Sequence, residues 1–194
     1  MTVPMALLAL LETTESSHGF ALKKRYDDLL GRDRELKFGQ VYSTLARLER
    51  DGLAAGIGFE QGGAAERKLY AITDAGLTEI DTWLRTPQLP GGRPTELFTK
   101  VILALVSGRP AGEILDAQRE VYLQRMREVT NARAHGDVVD RLAGDFELVH
   151  LEADLKWVEL AGQRLDQLAI QLNTKQAEAK APDARQLDTT GQPS

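Results

Sequence analysis

One stretch of the sequence carries polar side chains at the spacing of a helix face. Val41, Leu45 and Leu48 recur every three or four residues, which predicts a helix that begins near Gly39 and ends at Asp51-Gly52. The side chains expected to point away from this apolar stripe are small or amide groups and one guanidinium: Gln40, Ser43, Thr44 and Arg47. Such groups can donate to and accept from base edges and phosphate oxygens in a nucleic-acid groove.

Basic side chains accompany this helix. Residues 37–50 hold three basic side chains and one acidic one, Glu49, so their net charge is +2. The side chains expected to contact phosphates are Lys37, Arg47, Arg50, Arg67 and Lys68, with Lys23 and Lys24 as further contributors. Tyr42, at the edge of the stripe, carries a hydroxyl that can reach a phosphate. The alternatives are a solvated helix face and, for Tyr42, a half-buried core position.

The elements around the third helix complete a pattern of three helices, a hairpin and a helix within 85 residues. Residues 3–11 are apolar on nearly every side, which indicates a buried helix. A second helix is predicted over residues 18–30, with Ser16 and Ser17 as candidate N-caps, His18 packing or capping at its start, and Phe20 or Ala21 in its apolar stripe.

The segment after the third helix predicts a hairpin with a glycine-rich tip at residues 61–63. Thr73, followed by Asp74, is the predicted N-cap of a fourth helix. The order of elements predicts a winged helix-turn-helix, a mainly α fold with a small β-hairpin wing, in which the third helix enters the DNA major groove.

Composition divides the rest of the chain. Residues 86–94 hold three Pro and two Gly and predict a linker between a DNA-binding domain (1–85) and a helical dimerisation domain (95–173). Residues 174–194 have one isolated leucine and predict a disordered tail. The last helix, predicted over residues 145–173, carries a seam at positions 151, 155, 158, 162, 165, 169 and 172. The seam favours a dimer interface, with a three-helix core as the alternative.

Several classes of function are excluded by composition. The 194 residues carry a net charge of −5 and no cysteine, so disulfides, Cys-ligated zinc and thiol catalysis are ruled out. The longest apolar run near the N-terminus is too short for a bilayer, so a cytoplasmic protein without a membrane partner is expected. The sequence shows no nucleophile–base pair or phosphate loop, so no enzyme activity and no cofactor are expected. Glu147, His150 and Asp154 have helical spacing but are expected to be solvated, so no metal site is predicted either.

Four motifs between residues 3 and 85 carry a resemblance to a known family. In chain order they are ALLALL, SHGFALKKR, FGQVYSTLARLERDGL and ERKLYAITDAGLTEIDTWL. This pattern resembles the PadR family of transcriptional regulators. The resemblance implies a homodimer that binds a palindromic operator in double-stranded DNA, commonly as a repressor, with residues 39–53 as the recognition helix. The chain departs from the family at Ser43 and Glu66, since both positions often hold proline.

The second half resembles the helical C-terminal domain of the longer, virulence-regulator-like members. The resemblance implies that this part forms the dimer together with the N-terminal helix. Some members bind aromatic or drug-like ligands near that interface, which implies a small-molecule effector here. The candidate stacking side chains are Trp157, Phe98, Tyr122 and Phe146, with core packing as the alternative for each. A winged-helix module that binds another protein and no DNA is the rival interpretation, favoured by the acidic total and by Glu66.

Overall fold

The computed structural model describes residues 2–31, 35–62, 65–92 and 94–180. The helices are α1 (Thr2–Glu12), α2 (Gly19–Leu30), α3 (Phe38–Arg50), α4 (Asp74–Arg85), α5 (Pro94–Val106), α6 (Ala111–His135) and α7 (Val138–Lys180). The strands are β1 (Ser17–His18), β2 (Ala54–Gly62) and β3 (Ala65–Ile72). The predicted mainly α fold with a small β wing is confirmed.

α1 lies at the centre of the N-terminal part. Every residue from Met5 to Leu11 is buried, and the helix contacts α2, α3, α4 and α5. A helix that is apolar on all sides is stable in water only when other elements surround it. The prediction of a buried first helix is therefore confirmed.

The start of α2 differs from the prediction. The N-cap is His18, whose Nδ1 accepts a hydrogen bond from the backbone N–H of Ala21 at 3.1 Å, so the candidate caps Ser16 and Ser17 were wrong. Ser17 instead belongs to β1, a strand that the sequence did not predict, and pairs with Tyr70 of β3. The wing is therefore the outer part of a three-stranded antiparallel sheet in the order β1-β3-β2.

β2 and β3 form the predicted hairpin, and its register shifts between Gly56 and Gly58. Gly58 has a φ of +151°, a conformation that side-chain-bearing residues rarely adopt. Two residues of the predicted glycine-rich tip, Gln61 and Gly62, end β2, whereas the third, residue 63, lies outside the described residues. Thr73 caps α4 as predicted, with its hydroxyl accepting from the N–H of Gly76.

The linker after α4 is bonded to the helical part. Lys100 of α5 donates to the carbonyl oxygen of Thr86 at 2.6 Å. Gln118 of α6, 1% exposed, accepts from the N–H of Gln88 at 2.7 Å and donates to its carbonyl oxygen at 2.9 Å. Arg109 pairs with Glu12 of α1 and with Asp81 of α4. These bonds connect the two halves of the chain.

α7 is longer than predicted. It starts at Val138 rather than Asp145 and continues past residue 173 to Lys180, so the predicted tail boundary at residue 174 falls within a helix. The rest of the predicted tail, residues 181–194, lies outside the described residues. No helix in the described part of the chain is long and apolar enough to cross a membrane.

The predicted seam of α7 packs largely within its own chain. Leu151 and Val158 are buried. A Cβ at Gly162 would lie 4.0 Å from Leu115 of α6, and one at Gly112 of α6 would lie 3.8 Å from Leu165. At Leu151 and Val158 the core interpretation is correct, whereas a role of the rest of the seam in a dimer stays a prediction.

Candidate nucleic-acid interface

α3 buries one face and exposes the other. Val41, Leu45 and Leu48 are buried in the N-terminal core. The exposed side chains on the opposite face include five of the predicted DNA-contacting residues: Gln40, Tyr42, Ser43, Arg47 and Arg50. Lys37, the residue in the N-cap position, is also exposed. The helix thus presents one amide, two hydroxyls and three cations to solvent.

Thr44 does not belong to this exposed face. It is only 5% exposed, and its hydroxyl donates to the carbonyl oxygen of Gln40 at 2.7 Å. The prediction that Thr44 faces a groove is wrong, because position 44 is three residues after Val41 and four before Leu48 and so shares their buried side. A buried hydroxyl with a backbone partner is unavailable to a base edge.

Tyr42 lies against the start of α2. A Cβ placed on Gly19 would lie only 2.7 Å from Cε1 of Tyr42. The ring can therefore occupy this position only because residue 19 has no side chain. The tyrosine remains 45% exposed. The glycine of the His18-Gly19 pair therefore lets the ring lie close to α2 while the tyrosine stays accessible.

The cations of α2 and α3 differ in how strongly they are paired. Lys23 contacts Asp27 at 2.5 Å, and the Asp27 hydrogen bond raises the pKa of this lysine. Arg50 contacts Asp51 at 2.9 Å, whereas Lys24 is exposed on α2. Neutralised cations attract phosphates less, so Lys37 and Arg47 are better suited to that role than Lys23.

The wing is joined to the end of α3 by Lys68. Its Nζ lies 2.8 Å and 2.7 Å from the two carboxylate oxygens of Glu49, and Oε1 of Glu49 also accepts from the N–H of Gly56 at 3.2 Å. The hydrogen bond between the side chains lowers the pKa of Glu49 and raises that of Lys68. Lys68 was predicted as a phosphate contact, but its ammonium already has a carboxylate partner.

Two exposed aromatic rings that the sequence did not single out as functional lie beside these cations. Phe20 of α2 and Phe38 of α3 stack with centroids 5.7 Å apart and planes inclined by 13°. The guanidinium carbon of Arg67 lies 5.3 Å from the centre of the Phe20 ring. The contact brings the wing, α2 and the start of α3 into one continuous surface, with Glu66 exposed on the wing beside it.

Comparison with known proteins identifies the family to which the residues of this surface belong. The model of the family described as "Transcriptional regulator PadR-like family" matches residues 7–82, which span α3 and the wing. Residues 7–82 belong to the PadR-like family of transcriptional regulators. The resemblance noted from the four motifs is confirmed, as is the expectation of a regulator rather than an enzyme.

Individual relatives and solved structures are similar to parts of the chain. A probable transcriptional regulator of Mycobacterium tuberculosis is 26% identical over 150 residues, 75% of this chain and 79% of that protein. The negative transcriptional regulator PadR of Bacillus subtilis is 29% identical over 115 residues, 58% of this chain and 63% of that protein. The crystal structure of a PadR family transcriptional regulator from Eggerthella lenta is 32% identical, covers 42% of this chain and 67% of its own, and gives a TM-score of 0.35.

The four rings predicted as an effector site are spread over three helices of this PadR-like chain. Tyr122 is buried, and desolvation together with the charge of Asp154 raises its pKa to about 12. Trp157 is half-buried against the core, whereas Phe98 and Phe146 are exposed. The structure thus places Tyr122 and Trp157 in the core and leaves the two phenylalanines on the surface.

A cavity of about 480 Å³ lies instead between the linker and the start of α5. Trp83 forms one wall, and Lys100, which is 3% exposed, has its Nζ 5.1 Å from the centre of that ring. Burial lowers the pKa of Lys100. Gln88 also lines the cavity, and its Nε2 is buried without a hydrogen-bond partner among the described residues. The cavity therefore offers an aromatic wall and the ammonium of Lys100, beside the carboxylate of Glu96, which accepts from Nε1 of Trp83.

The metal candidates of α7 have other contacts. Glu147 pairs with Arg125 of α6, 2.6 Å between Oε1 and Nε. His150 lies 4.2 Å from the ring of Phe146, and its Nδ1 is 2.7 Å from the backbone carbonyl oxygen of the same phenylalanine. Within the described ranges, no three His, Asp or Glu side chains converge on a point where a metal ion could be held.

Proposed function

We propose that this PadR-like protein is a cytoplasmic homodimeric repressor that binds a palindromic operator in duplex DNA. The observation that carries the proposal is the continuous exposed surface formed by α3 and the wing, on which Arg67 meets the start of the recognition helix through Phe20. The Bacillus subtilis relative is a negative transcriptional regulator, which supports repression over activation.

The exposed groups divide into two roles on DNA. Lys37, Arg47, Arg50 and Arg67 would contact phosphates, with Tyr42 donating its hydroxyl, because the charge of a phosphate attracts each of them whatever the sequence. Gln40 and Ser43 would contact base edges, where an amide and a hydroxyl can distinguish donor and acceptor patterns. Lys68 would act indirectly, through Glu49, rather than on a phosphate.

An apolar face on α7 supports the dimer. Five large apolar side chains in its first half are between 63% and 74% exposed: Val138, Val139, Leu142, Phe146 and Val149. The last four follow one another in steps of three and four residues and so share one side of the helix. A continuous exposed stripe of this kind marks an interaction surface. A second copy of the chain would cover it and hold two recognition helices for two half-sites.

The cavity beside the linker supports release by a small aromatic anion. A carboxylate would accept from Lys100, while an aromatic ring would lie against Trp83. Occupation would act on the segment that joins the DNA-binding part to the helical part. This site replaces the cluster of Trp157, Phe98, Tyr122 and Phe146 as the proposed effector site.

The test is fluorescence anisotropy with DNA from the protein's own promoter region and a scrambled duplex at two salt concentrations. A repressor should prefer its own sequence and bind more weakly at the higher salt. Selection from a random-sequence duplex library would then define the operator. No salt-dependent binding to any duplex in either experiment would overturn the proposal and favour a winged-helix module that binds another protein.

A further inference from the structure

The stacked pair of Phe20 and Phe38 is exposed although it is apolar. Each phenylalanine is 45% exposed. Neither ring belongs to the buried core around α1. Two neighbouring aromatic rings that remain in contact with water, bordered by charged groups, mark a surface that another molecule covers.

Cations border both rings. Lys23 Nζ lies 5.1 Å from the centre of the Phe38 ring, and Arg67 approaches the Phe20 ring from the wing. Such contacts hold the rings and the cations together as one unit. Lys23 is paired with Asp27, so the charge that suits an anionic partner is that of Arg67, and a nucleic-acid backbone beside the rings is favoured over an apolar protein surface.

Phe38 is also placed where a recognition helix meets bases. It is the first residue of α3, and the first residues of such helices contact base edges in the major groove. Gln40 and Ser43, exposed on the same helix, are polar and can serve the hydrogen-bonding groups of the bases. The feature of a base edge that suits an apolar ring is the C5-methyl group of thymine.

We propose that the Phe20–Phe38 pair is a specificity-determining contact that recognises a thymine methyl group in each half-site. Phe38 touches the methyl group, Phe20 supports the ring of Phe38 from behind, and Arg67 binds the adjacent phosphate. The inference rests on the proposed binding of operator DNA and adds to it a base preference that hydrogen bonding alone would not produce.

The experiment replaces each thymine of the selected operator, one at a time, by 2′-deoxyuridine, which lacks only the methyl group. Wild-type protein should bind about fourfold more weakly for each buried methyl group removed, at one or two symmetrically placed thymines. Phe38→Ala should bind the unmodified operator more weakly and should show no further weakening at those thymines. Phe20→Leu should give a smaller effect in the same direction.

A matched control is available on the wing. Phe59 is 65% exposed and lies outside the aromatic pair, so Phe59→Ala should keep the full difference between thymine and deoxyuridine. Circular dichroism melting of each variant separates a weakened DNA interface from a failure to fold. The thymine scan on wild-type protein needs no variant and tests the idea even if Phe38→Ala does not fold.

The outcomes distinguish a failure of the thymine-methyl contact from a failure of the proposed DNA binding. If wild-type protein binds the operator but no thymine methyl affects its affinity, the inference is overturned and the repressor proposal stands. Sensitivity that persists in Phe38→Ala at the same thymines would assign the methyl contact to another residue and would equally overturn it. If wild-type protein binds no duplex, the proposed function itself fails.

Discussion

Glu49 and Lys68 join the last turn of the recognition helix to the wing by a paired ion contact in which Nζ lies within 2.8 Å of both carboxylate oxygens. Because Glu49 also accepts from the N–H of Gly56 in β2, its carboxylate contacts both strands of the hairpin. The pair therefore fixes the direction of the wing relative to α3, and it leaves Arg67 as the wing cation that we propose contacts DNA.

The two wing cations should behave differently when they are removed. Arg67→Ala should weaken binding to all duplexes and reduce the slope of log Kd against log salt by about 0.9 for each phosphate that the protein no longer neutralises. Lys68→Ala should weaken operator binding with little change in that slope, because it disturbs the wing rather than a phosphate contact. Anisotropy titrations at several salt concentrations measure both. A smaller slope for Lys68→Ala would return this lysine to the phosphate-binding set.

The same pair should give a pH-dependent contribution to stability. The lowered pKa of Glu49 means that the unfolded chain binds a proton more readily, so the contribution is present above the ordinary glutamate pKa and is lost as pH falls through the lowered one. The raised pKa of Lys68 means that the contribution of the pair to stability is also lost at high pH, as the pH rises through that raised pKa. Urea unfolding of wild type and Glu49→Gln between about pH 7 and about pH 3 should show the difference shrinking toward acid. A constant difference would contradict the pairing.

Replacing the buried Gln118 should lower the free energy of unfolding. Gln118→Ala would leave the buried N–H and carbonyl groups of Gln88 without their partner, at a cost of about 1–3 kcal/mol for each group. Gln118→Glu would bury a carboxylate with one oxygen against the carbonyl oxygen of Gln88, so it should destabilise the protein at least as much as Gln118→Ala. Urea unfolding gives the free energies, and limited proteolysis should show faster cleavage between residues 86 and 92. Equal stability of all three proteins would mean that water replaces the missing bonds.

The apolar face of α7 should determine the oligomeric state. Leu142→Glu or Phe146→Glu would place a charge in a buried interface and should convert the dimer to monomers, visible by light scattering coupled to gel filtration. Leu89→Glu, at a residue that is 81% exposed in the linker, is the control and should stay dimeric. Monomeric variants should also lose most of their affinity for a palindromic operator while still folding. A wild-type monomer would contradict the assignment.

Binding of a ligand in the linker cavity should quench the fluorescence of Trp83, which lines it, and not that of Trp157. Benzoate is a suitable first probe, because it combines a ring with a carboxylate, and it should quench fluorescence in wild type and in Trp157→Phe. Trp83→Phe should lose the response, and Lys100→Met should need more ligand for the same quenching. Quenching that depends on Trp157 instead would move the effector site back to α7.

The recognition helix was predictable because its signal is local. Val41, Leu45 and Leu48 define the buried side by periodicity alone, and the residues opposite them are exposed as expected. Thr44 was misplaced because its polar type was given more weight than its position between two core residues. In the structure the hydroxyl finds a partner one turn back, at Gln40, so burial costs it little.

Contacts between distant parts of the sequence could not be predicted. Glu49 and Lys68 are 19 residues apart, and the stacked rings belong to two different helices, so only the tertiary fold brings either pair together. Periodicity gave no sign of the rings' exposure. Phe38 lies three residues before Val41 and so continues the apolar stripe, which predicts a buried ring, yet it is 45% exposed. The seam of α7 could be recognised from the sequence, but periodicity cannot tell whether the same chain or a second chain packs against it.

The bonded linker has a consequence for the DNA that such a protein can use. Thr86 and Gln88 are held by α5 and α6, and Arg109 joins both α1 and α4 to the start of α6. In a dimer built on α7, the distance between the two recognition helices would then be fixed by the protein. One extra base pair separates the half-sites by about 3.4 Å and turns one against the other by about 35°. If the proposed dimer cannot follow that turn, we expect it to bind operators of a single spacer length.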